Sequence, residues 1–173
     1  MANTPLAYHI TVGTYGMRLH GDPRGTVDRT NNRPGDPILG RDEDWQHEER
    51  SLLKFDPIVL AAPQRVFIEG IVPAICERGG WDYHIAAARL DHVHVELSSP
   101  NDGQIIRQLV KRWLSEELST RWPLPSGAVW WAECGSVKWV WEQCYFQNVY
   151  DYIRRQRTSP MVPAESSRAE IKR

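Results

Sequence analysis

Residues 90–99 read LDHVHVELSS, and alternation this strict specifies a β-strand whose two faces differ in chemistry. His92, His94 and Glu96 share one face; Val93, Val95 and Leu97 share the other. The apolar face demands a core. Two imidazoles spaced i, i+2 stand roughly 6.5 to 7 Å apart at Cα, close enough to converge on one divalent ion. By itself the pair is equally compatible with a wet strand face that carries two histidines, so a further ligand has to come from elsewhere in the chain.

The 173 residues, 41% hydrophobic and 25% charged, predict a single domain over 1–157 with a core of its own. No run of 18 apolar residues is present to span a bilayer, so no membrane association is expected. The start, MANTPLAYHI, lacks the basic and apolar regions of a secretory signal. Cys76, Cys134 and Cys144 have neither metal spacing nor an even count. Both features predict a cytoplasmic protein. The net charge of −1 leaves no overall nucleic-acid footprint, but residues 150–173 hold six basic against three acidic side chains, enough to present a local basic face.

Along the chain, AYHITVGTY (7–15) alternates as a first strand with His9 and Thr11 on one face. Residues 13–50, with six Gly and three Pro, read as a long irregular loop facing substrate. A helix is expected over 63–77, kinked or stopped near 72 by Pro73. A second strand over 81–89 places Trp81, Tyr83, Ile85 and Ala87 on one face and pairs antiparallel with the His strand. Asn101 or Asp102 caps a helix running to about 120. Its Arg107 and Lys111 are either a solvated face or phosphate contacts. The Trp-rich stretch 128–143 reads as two short strands turned at 134–136. Its tryptophans read first as packing residues and second as a base-stacking platform, which makes Trp130 and Trp139 candidate DNA contacts. A last helix over about 144–157 precedes a tail, 158–173, expected to be disordered. This order suits an α+β sandwich of the ferredoxin-like or RRM-like kind, an antiparallel sheet with helices packed on one face.

On the last helix Tyr152 and Gln156 lie four residues apart and so about 40° from each other around the axis, on one face. Taken with His92-Val93-His94, this Tyr152-Ile153-Arg154-Arg155-Gln156 run resembles the single-tyrosine HUH transposases, the insertion-sequence-200-like enzymes and their REP-associated relatives. HITVGTYGMRLHGDPRGTV near the start and GSVKWVWEQ near the end also resemble segments that accompany the motif, so the likeness spans residues 8 to about 157. Asp91 stands where an Asn commonly precedes the first His.

The resemblance implies a divalent ion, Mg²⁺ or Mn²⁺, ligated by His92, His94 and Gln156, with Tyr152 as nucleophile on single-stranded or hairpin DNA. It also implies a 5′-phosphotyrosine intermediate and a homodimer as one arrangement, while the basic excess of the last helix makes Arg154 and Arg155 candidate DNA contacts. Two other readings compete. A two-histidine phosphoesterase would use His-x-Thr or His-x-Ser twice, and here His9-Ile10-Thr11 is matched only by His92-Val93-His94. A non-catalytic ferredoxin-like module would bind nucleic acid by stacking bases on Trp and Tyr.

Overall fold

The computed structural model describes residues 4–20, 22 and 40–159. Eight elements follow one another: β1 (Ala7–Gly13), α1 (Glu43–Ser51), α2 (Ala62–Gly79), β2 (Asp82–Ala88), β3 (His92–Ser98), α3 (Gly103–Arg121), β4 (Ser136–Val140) and α4 (Gln143–Arg154). The strands form one antiparallel sheet in the order β2-β3-β1-β4. With α2 and α3 as the two crossovers this is the expected ferredoxin-like α+β sandwich. The central strands, β1 and β3, are the ones whose residues are buried on both sides.

One face of the sheet makes the main core. Tyr8, Ile10 and Val12 of β1 and Val93, Val95 and Leu97 of β3 meet Ile68, Val72 and Ile75 of α2 and Ile106, Val110, Leu114 and Leu118 of α3. Local signals set the helix ends. Asp102 accepts from the N–H groups of Gln104 and Ile105, 2.9 and 3.3 Å away, satisfying donors that a helix start otherwise leaves unpaired. Gly103 lets α3 begin against the sheet, because a Cβ there would come within 2.7 Å of the Tyr8 ring and Val137.

Pro73 does not stop α2, which runs on to Gly79. Pro73 faces solvent, where water can take up the carbonyl it leaves unpaired. Val72, Ile75 and Cys76 around it are buried in the core and hold the last turns in place.

Three other expectations change. Within 13–50 the chain forms α1, capped by Asp42 and tied down by Glu49, which accepts from the His20 backbone N–H at 2.8 Å and pairs with its ring. Residues 21 and 23–39 lie outside the described residues, as does the expected tail beyond 159. The faces of β2 switch midway. A bulge between Tyr83 and Ile85 places Tyr83 against the main core and Ile85 and Ala87 on the opposite face. Of the two aromatic strands expected over 128–143 only β4 forms; Trp131 contributes a single bridge to Thr14.

The expectation of helices on one face holds for α2 and α3. The additional helix, α4, lies across the other face, where Val149 and Ile153 pack on Ala7, Ile85, Ala87 and Val140. Among the described residues no helix is long and apolar enough to cross a membrane.

Candidate active site

The α4-covered face carries the polar half of the strand alternation. The register of β1 against β3 sets Thr11 opposite His94, Gly13 opposite His92 and His9 opposite Glu96. Side chains from the two central strands therefore meet under α4. His94 Nδ1 lies 2.9 Å from Thr11 Oγ1 and 3.1 Å from His9 Nε2. Its Nε2 is buried without a hydrogen-bond partner. His92 Nδ1 is held by Asp91 Oδ1 at 2.6 Å, an arrangement that puts the proton on Nδ1 and leaves Nε2 as a lone pair. The His92 and His94 rings stand 4.6 Å apart at their centroids.

Burial dominates the electrostatics. Desolvation lowers the pKa of His9 to about 4, helped by the Lys138 ammonium. It lowers that of His94 to about 3, with His92, His9, Arg18 and Lys138 adding to the effect. His92 is lowered too, by desolvation against the opposing pull of Asp91. All three imidazoles are neutral at pH 7, the form that ligates metal. Glu96, fully buried and with both carboxylate oxygens unpartnered, has its pKa pushed up to about 7 by desolvation.

Tyr152 on α4 completes the cluster. Its ring lies 5.4 Å from that of His94 and 6.2 Å from that of His9, edge-on to both, while 44% of the residue stays exposed. Tyr150, two residues away, packs instead against the small apolar cluster beneath α4. The structure thus brings His92, His94 and Tyr152 together.

Gln156 is placed differently from expectation. The helix ends at Arg154, and Gln156 sits in a turn whose backbone N–H donates to Ile153 at 2.9 Å. Its side-chain nitrogen is buried without a partner. Because the two ends of an amide have the same shape, a half-rotation would offer the oxygen at that position.

Several of these features suit a divalent ion. The unpartnered His94 Nε2 and the Asp91-oriented His92 are two imidazole donors. Among the described residues no three His, Cys, Asp or Glu side chains are grouped to hold an ion, so a third donor would have to be of another type, as an amide is.

The DNA-contact candidates separate. Arg107 donates to the Gly135 carbonyl at 2.7 Å, and Lys111 to those of Ala132 and Glu133 at 2.6 and 2.9 Å. Both therefore fasten the loop after α3, on the side of the sheet away from the histidines. Trp130 is 3% exposed, with its indole N–H on Ser119, and offers no stacking surface. Trp139 is exposed on the edge strand β4. Arg154 is exposed and paired with Asp151 at 3.1 Å, and Arg155 is exposed.

Sequence reasoning did not assign His9, Glu96, Arg18 or Lys138 to the site. His9 and Glu96 had a visible signal, since each lies on the same strand face as a residue of the cluster. Arg18 had none.

No protein-family model matches the chain, and no curated protein matches it in sequence. Among solved structures, the chain is similar to a Deinococcus radiodurans R1 protein described as a "putative transposase". The TM-score is 0.47 and 15% of residues are identical, over 91% of this chain and 95% of that one. At that level of likeness, the fold rests on the strand order and register above, and the function on the geometry of the cluster.

Proposed function

We propose that this protein cleaves and rejoins single-stranded or hairpin DNA through a covalent tyrosyl intermediate, with Tyr152 as nucleophile and His92, His94 and Gln156 as ligands of a divalent ion. The observation that carries this reading is a half-exposed phenol 5.4 Å from an imidazole whose Nε2 is buried and unpartnered. Most buried polar atoms are hydrogen-bonded, and an open imidazole nitrogen beside the phenol is the donor that a metal site there would use.

Mg²⁺ or Mn²⁺ bound there would polarise a non-bridging phosphate oxygen and stabilise charge as it builds. The chain's own residues account for the rest. Arg18 and Lys138 lie close enough to shift the histidines and give the site the positive field that a phosphodiester needs. Thr11 and His9 hold the His94 ring from its Nδ1 side. Tyr152 Oη attacks phosphorus as the bond to the 3′ oxygen breaks. The phenolic proton passes through solvent, which reaches the exposed side of the ring, and ends on the released 3′-hydroxyl. A 5′-phosphotyrosine results, and attack by another 3′-hydroxyl restores the phenol and joins the strands without ATP.

The two-histidine phosphoesterase reading is disfavoured by a distance. Paired acid and base histidines must flank a phosphate, and His9 and His94 are bonded to each other at 3.1 Å. The base-stacking module is disfavoured because α4 covers the sheet face it would use and Trp130 is buried.

Incubation with a library of single-stranded oligonucleotides and Mn²⁺, followed by a denaturing gel, tests the proposal. The wild type and Tyr150→Phe should form a denaturant-resistant adduct, and Tyr152→Phe should form none while still binding DNA. An adduct peptide mapped to Tyr150 or Tyr145 would overturn the assignment.

A further inference from the structure

α4 brings Tyr152 to the histidines, yet the only α4 side chains fully buried beneath it are Val149 and Ile153. A second attachment lies just beyond its C-terminus. Glu69 of α2, 2% exposed, accepts from the backbone N–H groups of Thr158 and Ser159, each at 2.7 Å, and from that of Ala88 at 3.0 Å. Arg157 reaches the same carboxylate at 3.9 Å and donates to the Ala86 carbonyl at 2.7 Å, while the Thr158 hydroxyl donates to the Ala88 carbonyl at 3.1 Å.

Ala86 and Ala88 belong to β2, an edge strand, and these contacts use its outward-facing polar groups. α2 and α4 pack on opposite faces of the sheet. The chain leaving α4 therefore wraps around the sheet edge and is fastened from the far side by one buried carboxylate. A carboxylate that serves only the core would be met by side chains of the core. This one gathers backbone donors from residues 88, 158 and 159, tying the end of α4 to the strand next to β3.

We propose that Glu69 is a positioning residue for Tyr152, a latch that holds α4 over the histidines of its own chain. The proposal rests on the reading of Tyr152 as nucleophile, and its logic is geometric: an in-line attack tolerates little displacement of the attacking oxygen. Releasing the latch leaves α4 held by Val149 and Ile153, with the partly buried Phe146 and Tyr150 beside them, and frees its C-terminal end to sample other positions.

The test uses full-length protein with nitroxide labels at Thr120→Cys and Arg155→Cys in a Cys134→Ser, Cys144→Ser background, read by dipolar spectroscopy. With Glu69 present, one narrow distance distribution is expected. Glu69→Ala should broaden it. Thr158→Pro, which removes the Thr158 backbone donor to Glu69 and its hydroxyl donor to Ala88 and leaves the buried carboxylate in place, should broaden it too. Glu69→Gln, which keeps one acceptor oxygen, should narrow it again in part.

In parallel, Glu69→Ala and Thr158→Pro should lower kcat for adduct formation by about tenfold to a hundredfold with KM for the oligonucleotide unchanged. Narrow distributions in both variants, or a kcat loss matching the unfolded fraction, would overturn the latch. A wild type that forms no adduct would refute the nucleophile, and the distance distributions would still decide whether Glu69 holds α4.

Discussion

On one face of the sheet, Val93 and Val95 of β3 lie beside Val12 and Ile10 of β1 and meet two long helices; on the other, His94 and Glu96 lie beside Thr11 and His9 under one short helix. The backbone is the same, and only the parity of the residue differs. The first face is largely apolar and closed. The second buries His9, His94 and Glu96 beside a half-buried Thr11, and of these Glu96 has no partner for either oxygen and His94 none for Nε2. Burying unpaired polar groups is destabilising, so the aliphatic face must supply the surplus that lets the polar face persist. The difference teaches that stability and chemistry are divided between the two sides of the sheet, and substitutions should separate them.

The largest separation is expected from His94→Ala against Leu97→Ala, three residues apart on the same strand. His94→Ala should reduce adduct formation to background in Mg²⁺ while thermal unfolding stays within a few degrees of wild type. Leu97→Ala empties part of the main core and should cost about 2 to 5 kcal/mol, with cleavage per folded molecule retained at low temperature. A cleaving His94→Ala would break the division, as would a Leu97→Ala that is stable and inactive.

A second contrast is electrostatic and concerns the metal-free protein. Glu96, raised to about 7 from 4.5, contributes fully below pH 4.5 and loses that contribution as pH rises through 7. His9 and His94, lowered from 6.5 to about 4 and 3, contribute above 6.5 and lose it as pH falls through those values. Wild-type stability should therefore peak at mildly acidic pH. Glu96→Gln should gain about 1 to 3 kcal/mol relative to wild type between pH 4 and pH 8. Denaturant titrations at the two pH values measure this, and a constant difference would show that Glu96 is solvated.

The smallest effects concern the cations. Arg107→Ala and Lys111→Ala should each cost about 1 kcal/mol of stability, through the loop carbonyls they hold, and leave the salt dependence of DNA binding unchanged. Arg18→Ala and Lys138→Ala should each reduce that salt slope by about one and leave stability nearly unchanged. The reverse pattern would place the DNA on the α3 side.

Much of the scaffold was legible because its signals are local. The period-two alternation of 92–97 marked both faces of β3, and Asp102 marked the start of α3. The fit of Gln156 was less so. Helical spacing assumed a helix through 157, and α4 ends at Arg154, where the chain turns toward its attachment on Glu69. The bulge at residues 83–85 was also hidden, because an extra residue in a strand leaves no mark when every neighbour is compatible with either face.

The sequence by itself determined which residues could share a strand face or a helix face, since backbone geometry converts spacing directly into direction. Only the tertiary structure decided which faces meet. It joined His9 and Thr11 to His94 across a register of more than eighty residues, laid α4 on the open side of the sheet, and committed Arg107 and Lys111 to carbonyls of the loop after α3. Those outcomes depend on contacts between segments far apart in the chain, where the free energy of closing the loop and burying the surface is shared by the whole fold and written at no single position.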